Sequence, residues 1–197
     1  MEKEIEVKFL QVDIGRVREK LEKAGAVLKV PMRMMRRAMV KTHEMYENES
    51  FLRIRDEGDK VTMTYKQFDA NAVDGCRELE ITVSDFDKAV LLTRLIGMPQ
   101  ATYQESKRET WEMDGVEIVI DEWPWIKPYI EIEGKSESAL RAAAAKLGFD
   151  WRAAIFGSVM RAYEAEYPVI LKTGFLISDL SETRFGADIP VQLTGNK

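Results

Sequence analysis

Histidine and cysteine are almost missing from this 197-residue chain, which holds one of each, His43 and Cys76. A lone cysteine cannot close an internal disulfide and suits a reducing cytosol. So few nitrogen and sulfur ligands exclude zinc sites, and they exclude Ser–His–Asp and Cys–His nucleophile machinery as well. His43 lies in a polar stretch before a loop and reads as a surface residue. Long apolar runs are also lacking, so no segment approaches membrane-spanning length. The opening M-E-K-E-I-E-V-K begins as a strand rather than as a signal peptide. There is no excess of basic charge: the formal charge is −5 with 32% charged residues. General attraction to nucleic acid or to an anionic membrane is therefore not expected, and an anionic ligand must be caught by a local cluster. These absences point to a cytoplasmic protein whose chemistry rests on carboxylates, lysine and arginine.

Carboxylates are what the chain has, in a particular pattern. Glu4 and Glu6 stand in E-I-E-V-K, Glu78 and Glu80 in R-E-L-E-I, Asp121 in E-I-V-I-D, and Glu131 and Glu133 in Y-I-E-I-E-G. Residues i and i+2 of a strand share a face, so each pair aims two acids the same way between apolar neighbours. A solvated strand face explains any one pair. The same pair recurring in three distant parts of the chain points instead to acids gathered around positive charge, for which divalent metal is the usual partner.

The length fits one domain with a real core. We expect strands over about 2–10, 27–41, 51–55, 60–67, 76–83, 101–113, 116–122 and 129–134, with tight turns at 56–59 and at Asp114–Gly115. Helices are expected over about 14–25 after the cap Asp13, 85–97, 137–147 after Ser136, and 152–166. Residues 1–167 form the expected domain and 168–197 a loosely structured tail. Strand parity puts Glu4, Glu6, Lys8, Arg53, Arg55, Thr62, Thr64, Lys66, Glu78, Glu80, Arg108, Asp121, Glu131 and Glu133 on one face. Ile5, Val7, Phe9, Ile54, Val61, Met63, Leu79, Ile81, Ile118, Ile120, Ile130 and Ile132 fall on the other, the side expected to pack on the helices. Either an open sheet with a charged solvated face or a closed barrel with a charged interior satisfies this sorting. Arg33 and Arg37 share a face of the stretch 27–41 and would add to a basic wall, but the neighbouring Arg36 leaves that parity open.

The order of these elements resembles the CYTH proteins, the triphosphate tunnel metalloenzymes. E-I-E-V-K is similar to their N-terminal E-x-E-x-K signature, and L-R-I-R, Lys66, Glu78/Glu80, Arg108, Asp121 and Glu131/Glu133 follow in register over roughly residues 1–150. The resemblance implies an α+β fold in which eight antiparallel strands close into a β-barrel, with helices packed outside and a linear triphosphate held inside with Mg²⁺ or Mn²⁺. It implies metal ligation by Glu4, Glu6, Glu78, Glu80, Asp121, Glu131 and Glu133. Lys8, Arg53, Arg55, Lys66 and Arg108, with Arg37, would grip phosphate oxygens, Arg being favoured for its rigid fork. Glu4, Glu6, Lys8, Glu78 and Glu80 would serve catalysis, by holding the activating metal or orienting water.

Two departures bear on the substrate. The segment before L-R-I-R is M-V-K-T-H-E-M-Y-E-N-E-S rather than an aromatic-Asp-Thr-Pro type, so contacts from that loop do not carry over. Where K-x-R is common, this chain has Ser106-Lys107-Arg108, which turns Ser106 inward and Lys107 outward. Trp123-Pro124-Trp125 is either a stacking lid or a hydrophobic plug, and the plug is favoured. The resulting expectation is a metal-dependent hydrolase of triphosphate-containing small molecules, acting as a monomer or homodimer. The alternatives are a class IV adenylyl cyclase and a non-catalytic polyphosphate- or nucleotide-binding module.

Overall fold

The computed structural model describes residues 5–68 and 76–195, so Glu4 and the polar loop expected near 69–75 lie outside the described residues. Nine strands form the sheet: β1 (Ile5–Phe9), β2 (Val27–Val40), β3 (Ser50–Asp56), β4 (Val61–Phe68), β5 (Cys76–Val83), β6 (Gln100–Met113), β7 (Val116–Glu122), β8 (Tyr129–Gly134) and β9 (Glu182–Thr183). The longer helices are α1 (Ile14–Lys23), α2 (His43–Glu47), α3 (Phe86–Leu95), α4 (Glu137–Lys146) and α5 (Met160–Glu166). None of the helices is long and apolar enough to cross a membrane, among the described residues.

Strands hydrogen-bond in the order β1-β8-β7-β6-β2-β3-β4-β5, with β9 added in parallel to β6. This is a mixed α+β fold on an antiparallel sheet, as expected, but the hydrogen-bonded order does not close into a ring. The physical reason lies at β1. One edge pairs with β8, and on the other edge the Lys8 N–H donates to the Ile155 carbonyl at 2.8 Å while the Ile155 N–H donates to the Lys8 carbonyl at 3.0 Å. That edge is taken by a single bridge from the C-terminal part of the chain.

The chain divides into two compact units, each with its own core. The first comprises residues 1–33, 106–175 and 185–197. There the apolar positions of β1, β8, β7 and β6 (Val7, Phe9, Ile130, Ile132, Ile118, Ile120, Trp111, Met113) pack on Val17 and Leu21 of α1 and on Leu140, Ala143 and Leu147 of α4. Both helices start at side-chain caps: Asp13 Oδ1 accepts from the Arg16 N–H at 2.8 Å and Ser136 Oγ from the Ala139 N–H at 3.3 Å. At the end of β8 a methyl on Gly134 would stand 3.0 Å from Val116 Cγ1 and 3.1 Å from Leu140 Cδ1, so a larger residue there would have to push these two side chains back.

In the second unit, residues 34–105 and 176–184, Ala38 of β2 and Ile54 of β3 pack under Phe86, Ala89 and Val90 of α3. Here one expectation fails. Leu79 and Ile81 of β5 fall on the apolar parity but are 67% and 52% exposed, because the cluster under α3 reaches this last strand only at Val83. The helix expected over 152–166 also shortens to Met160–Glu166. Trp151–Ala153 is a 3-10 turn, Ile155 is extended against β1, and Gly157 takes a φ of +108°, which breaks helical continuity. Within the tail, Ile170–Thr173 makes a short helical turn and Glu182–Thr183 makes β9.

Candidate functional site

In the first unit the register places the charged side chains in rows. Glu6 stands opposite Glu133 and Lys8 opposite Glu131 across β1 and β8, and Arg108 stands opposite Asp121 across β6 and β7. Directly opposed residues share a face and touch through their side chains. Lys8 is fully buried, with Nζ 2.6 Å from Glu6 Oε1 and 3.1 Å from Glu131 Oε1. Arg108 donates Nε to Asp121 Oδ1 at 2.8 Å and Nη2 to Glu131 Oε2 at 2.8 Å. Glu131 is thus shared between Lys8 and Arg108.

Burial alone would push the Glu131 carboxyl up, but the Arg108 and Lys8 charges overcome it and hold the group below the ordinary glutamate range. For Lys8, burial pulls the ammonium down while Glu131 and Glu6 more than restore it, leaving it raised. Burial acts on Arg108 too, yet Asp121 and Glu131 hold it well above its ordinary value. Glu131, Lys8 and Arg108 are all charged at neutral pH.

Glu117 belongs to this face although it was not among the acids singled out in the sequence. It stands opposite Glu133 in the β7–β8 ladder and opposite Glu112 in the β6–β7 ladder, so Glu6, Glu133, Glu117 and Glu112 make one row across four strands. The signal was present as the two-residue spacing of Glu117, Val119 and Asp121. Lys107 points to the opposite face from Arg108, where it lies 4.0 Å from Glu122 and over the Phe185 ring, and Ser106 is buried on the Arg108 side. Trp123 is buried and Trp125, held at a φ of +67°, donates its indole N–H to the Ala187 carbonyl at 2.8 Å. The Pro124 carbonyl accepts from the Tyr163 hydroxyl at 2.9 Å, so this loop is fastened within the unit.

The second unit carries the other predicted residues. Arg37 stands opposite Arg55, and Arg55 opposite Thr62. Arg53 stands opposite Thr64, and Thr64 opposite Glu80. Lys66 stands opposite Glu78, with Nζ 2.8 Å from Glu78 Oε2. This register answers the parity left open in the sequence: Arg37 shares the face of Arg53 and Arg55, and Arg36, opposite Asp56, lies on the other. Arg55 Nη2 pairs with the buried Glu57 at 2.5 Å, a partner that strand parity misses because Glu57 sits in the turn. The Thr64 hydroxyl donates to Glu80 Oε2 at 2.7 Å.

The Arg53 Nε is buried with no hydrogen-bond partner among the described residues, as is that of Arg55 on the same strand, and the same holds for Thr62 Oγ1. Burial first and the Arg55 charge second pull the Arg53 guanidinium below its ordinary value, against the weaker help of Glu78 and Glu80. A buried donor left unmade costs about 1–3 kcal/mol, more when it is charged.

The acids of the first unit are hard oxygen donors of the kind Mg²⁺ and Mn²⁺ prefer. Among the described residues no three acids are drawn together as a metal-holding group, because Glu131 and Asp121 are engaged by Lys8 and Arg108. The donor chemistry fits a divalent ion. Glu6, whose side chain is 44% exposed, is the acid best placed to meet one, with Glu133 opposite it.

No curated protein matches the chain. A protein from Pyrococcus horikoshii superposes with a TM-score of 0.64 at 20% identity, covering 81% of this chain and 99% of its own. A proposed adenylate cyclase from Vibrio parahaemolyticus gives 0.65 at 13% identity, covering 82% and 97%. A proposed adenylyl cyclase from Hippeastrum, described as having a dominant triphosphatase activity, gives 0.56 at 13% identity, covering 90% and 98%. At these identities the likeness is one of fold. Residues 2–152 match the CYTH domain, and with well over half of the chain inside that match, the protein belongs to the CYTH domain family.

Proposed function

We propose that this protein hydrolyses triphosphate-containing small molecules with the help of Mg²⁺ or Mn²⁺. The observation that carries the reading is Arg53, a guanidinium with a buried unpartnered Nε, set beside Arg55 and Arg37 on one face. A triphosphate carries about four negative charges near neutral pH, and planar guanidinium forks match its oxygens. Arg53, Arg55, Arg37 and Lys66 bind those oxygens.

Glu6 and Glu133 would hold the divalent ion. Bound there, it would polarise a phosphoryl oxygen and offset the charge that develops on the leaving group. Glu80 has one oxygen fixed by Thr64 Oγ1, and its other orients the attacking water and takes a proton from it. The water oxygen bonds to the terminal phosphorus as the bond from that phosphorus to the bridging oxygen breaks. Arg53 and Arg55 stabilise the charge left on the bridging oxygen. Glu78, held by Lys66, keeps that lysine in place.

The test is a product assay on purified protein with Mg²⁺ or Mn²⁺ and either inorganic triphosphate or ATP. Orthophosphate is the expected product. Cyclic AMP with pyrophosphate would replace hydrolysis by cyclisation, and tight binding without turnover would make the protein a binding module. Full metal-dependent activity in Glu6→Gln would refute the assignment of the acidic row.

A further inference from the structure

The second unit has a cleft of about 450 Å³ on the face that α3 covers, opposite to the face of Arg37, Arg53 and Arg55. Three arginines from three separate parts of the chain line it: Arg36 from β2, Arg94 from the last turn of α3, and Arg184 just after β9. Two of them lie over aromatic rings. The Arg36 guanidinium lies 4.3 Å over the Phe86 ring, and that of Arg184 lies 4.0 Å over the Tyr103 ring. Stacking fixes the plane of a guanidinium while leaving its edges free to donate.

Those edges are only partly used. Arg36 gives Nε to Asp56 at 3.0 Å, but its two terminal nitrogens reach Asp87 only at 3.4 and 3.5 Å. Arg184 gives Nε to Glu182 at 2.7 Å and Nη1 to Glu105 at 3.4 Å. Arg94 is exposed and has no ion-pair partner among the described residues. Glu182 and Glu105 stay on Arg184, whereas Asp87 is 77% exposed and holds Arg36 only through those long contacts, so an incoming anion displaces it at small cost. Val90 and Leu91 supply an apolar wall beside the three cations. A cleft of this volume is within the usual range for small ligands.

We propose that this cleft is a second anion site, which takes a small phosphate-bearing molecule of up to mononucleotide size on Arg36, Arg94 and Arg184. Its phosphate bridges the guanidinium edges and its organic part lies against Val90 and Leu91. The site is separate from the face assigned to the triphosphate and stands whether or not that assignment does. Because Arg184 enters from the tail that also forms β9, occupancy ties residues 181–184 to β2 and α3.

Calorimetric titration with methylenediphosphonate, whose P–C–P bridge cannot be hydrolysed, tests it. The intact protein should bind two equivalents. Arg94→Glu should weaken one of them about tenfold or more, the worth of a charge-assisted hydrogen bond, and Arg53→Ala should weaken only the other. The Nε–Hε resonances of Arg36 and Arg184 should shift on addition of the diphosphonate to the wild-type protein, a readout that needs no variant. The proposal is overturned if those resonances do not move at saturation, or if folded Arg94→Glu titrates as the wild type does. Loss of activity in Arg53→Ala leaves this site untouched, so the two assignments fail separately.

Discussion

Removing Lys8 should destabilise the first unit more than any exposed substitution can. Lys8→Met deletes an ammonium that is fully buried and ion-paired at 2.6 Å to Glu6 and 3.1 Å to Glu131. Breaking a buried pair from one side costs about 3–5 kcal/mol, because the surviving charge is left behind. Glu131 keeps Arg108 at 2.8 Å, so the lower end, about 3 kcal/mol, applies. With a urea slope of about 2 kcal/mol per molar, the midpoint should fall by about 1.5 M. All four tryptophans, Trp111, Trp123, Trp125 and Trp151, lie in the first unit, so their fluorescence reports the unit that carries the change. Glu131→Gln should cost about 2 kcal/mol, since Lys8 retains Glu6 and Arg108 retains Asp121. The double variant should cost about 3 kcal/mol rather than the sum, a coupling of about 2 kcal/mol. Single effects that add to within about 0.5 kcal/mol would refute a shared buried pair.

Four further outcomes rest on the same contacts. Glu131 is depressed by Arg108 and Lys8 against the pull of burial, so its contribution to stability is fully present above its ordinary pKa of 4.5 and is lost as pH falls through the lower folded value. Urea midpoints should therefore fall below pH 4.5, and Glu131→Gln should flatten that fall. Arg53→Ala should lower kcat/KM for the triphosphate substrate about 100-fold with the urea midpoint nearly unchanged, and Arg53→Lys should recover part of it. Arg18→Ala takes the guanidinium bonds from the buried Glu109 and leaves it the Trp111 indole at 2.8 Å and the Met32 backbone N–H, which should cost about 1–2 kcal/mol in thermal unfolding. Asp13→Ala removes the α1 cap and should cost about 1 kcal/mol by the same measurement.

Local pattern made much of this protein legible. The two-residue spacing of Glu131 and Glu133, and of Arg53 and Arg55, gave their shared faces directly, since strand parity is a property of neighbours. Caps at Asp13 and Ser136 showed where helices begin for the same reason. Features decided by distant partners were not legible. Whether the sheet closes depends on what reaches the free edge of β1, and nothing in E-I-E-V-K names Ile155. Leu79 and Ile81 carry the pattern of a core strand, but only the placement of α3 leaves them exposed. Arg36 and Arg37 were indistinguishable until the register with Asp56 and Arg55 separated them. Glu57 was hidden by its turn, and two-residue β9 is too short to have any periodicity.

The bridge between Lys8 and Ile155 separates two boundaries that are easily taken as one. Similarity to the CYTH domain ends at residue 152, three residues before the group that completes β1. A chain cut where the similarity stops would present a bare amide and a bare carbonyl beside the buried lysine, on a strand end able to recruit another molecule's backbone. The inherited segment is therefore not the self-sufficient one, and the residues C-terminal to it guard against edge-to-edge association.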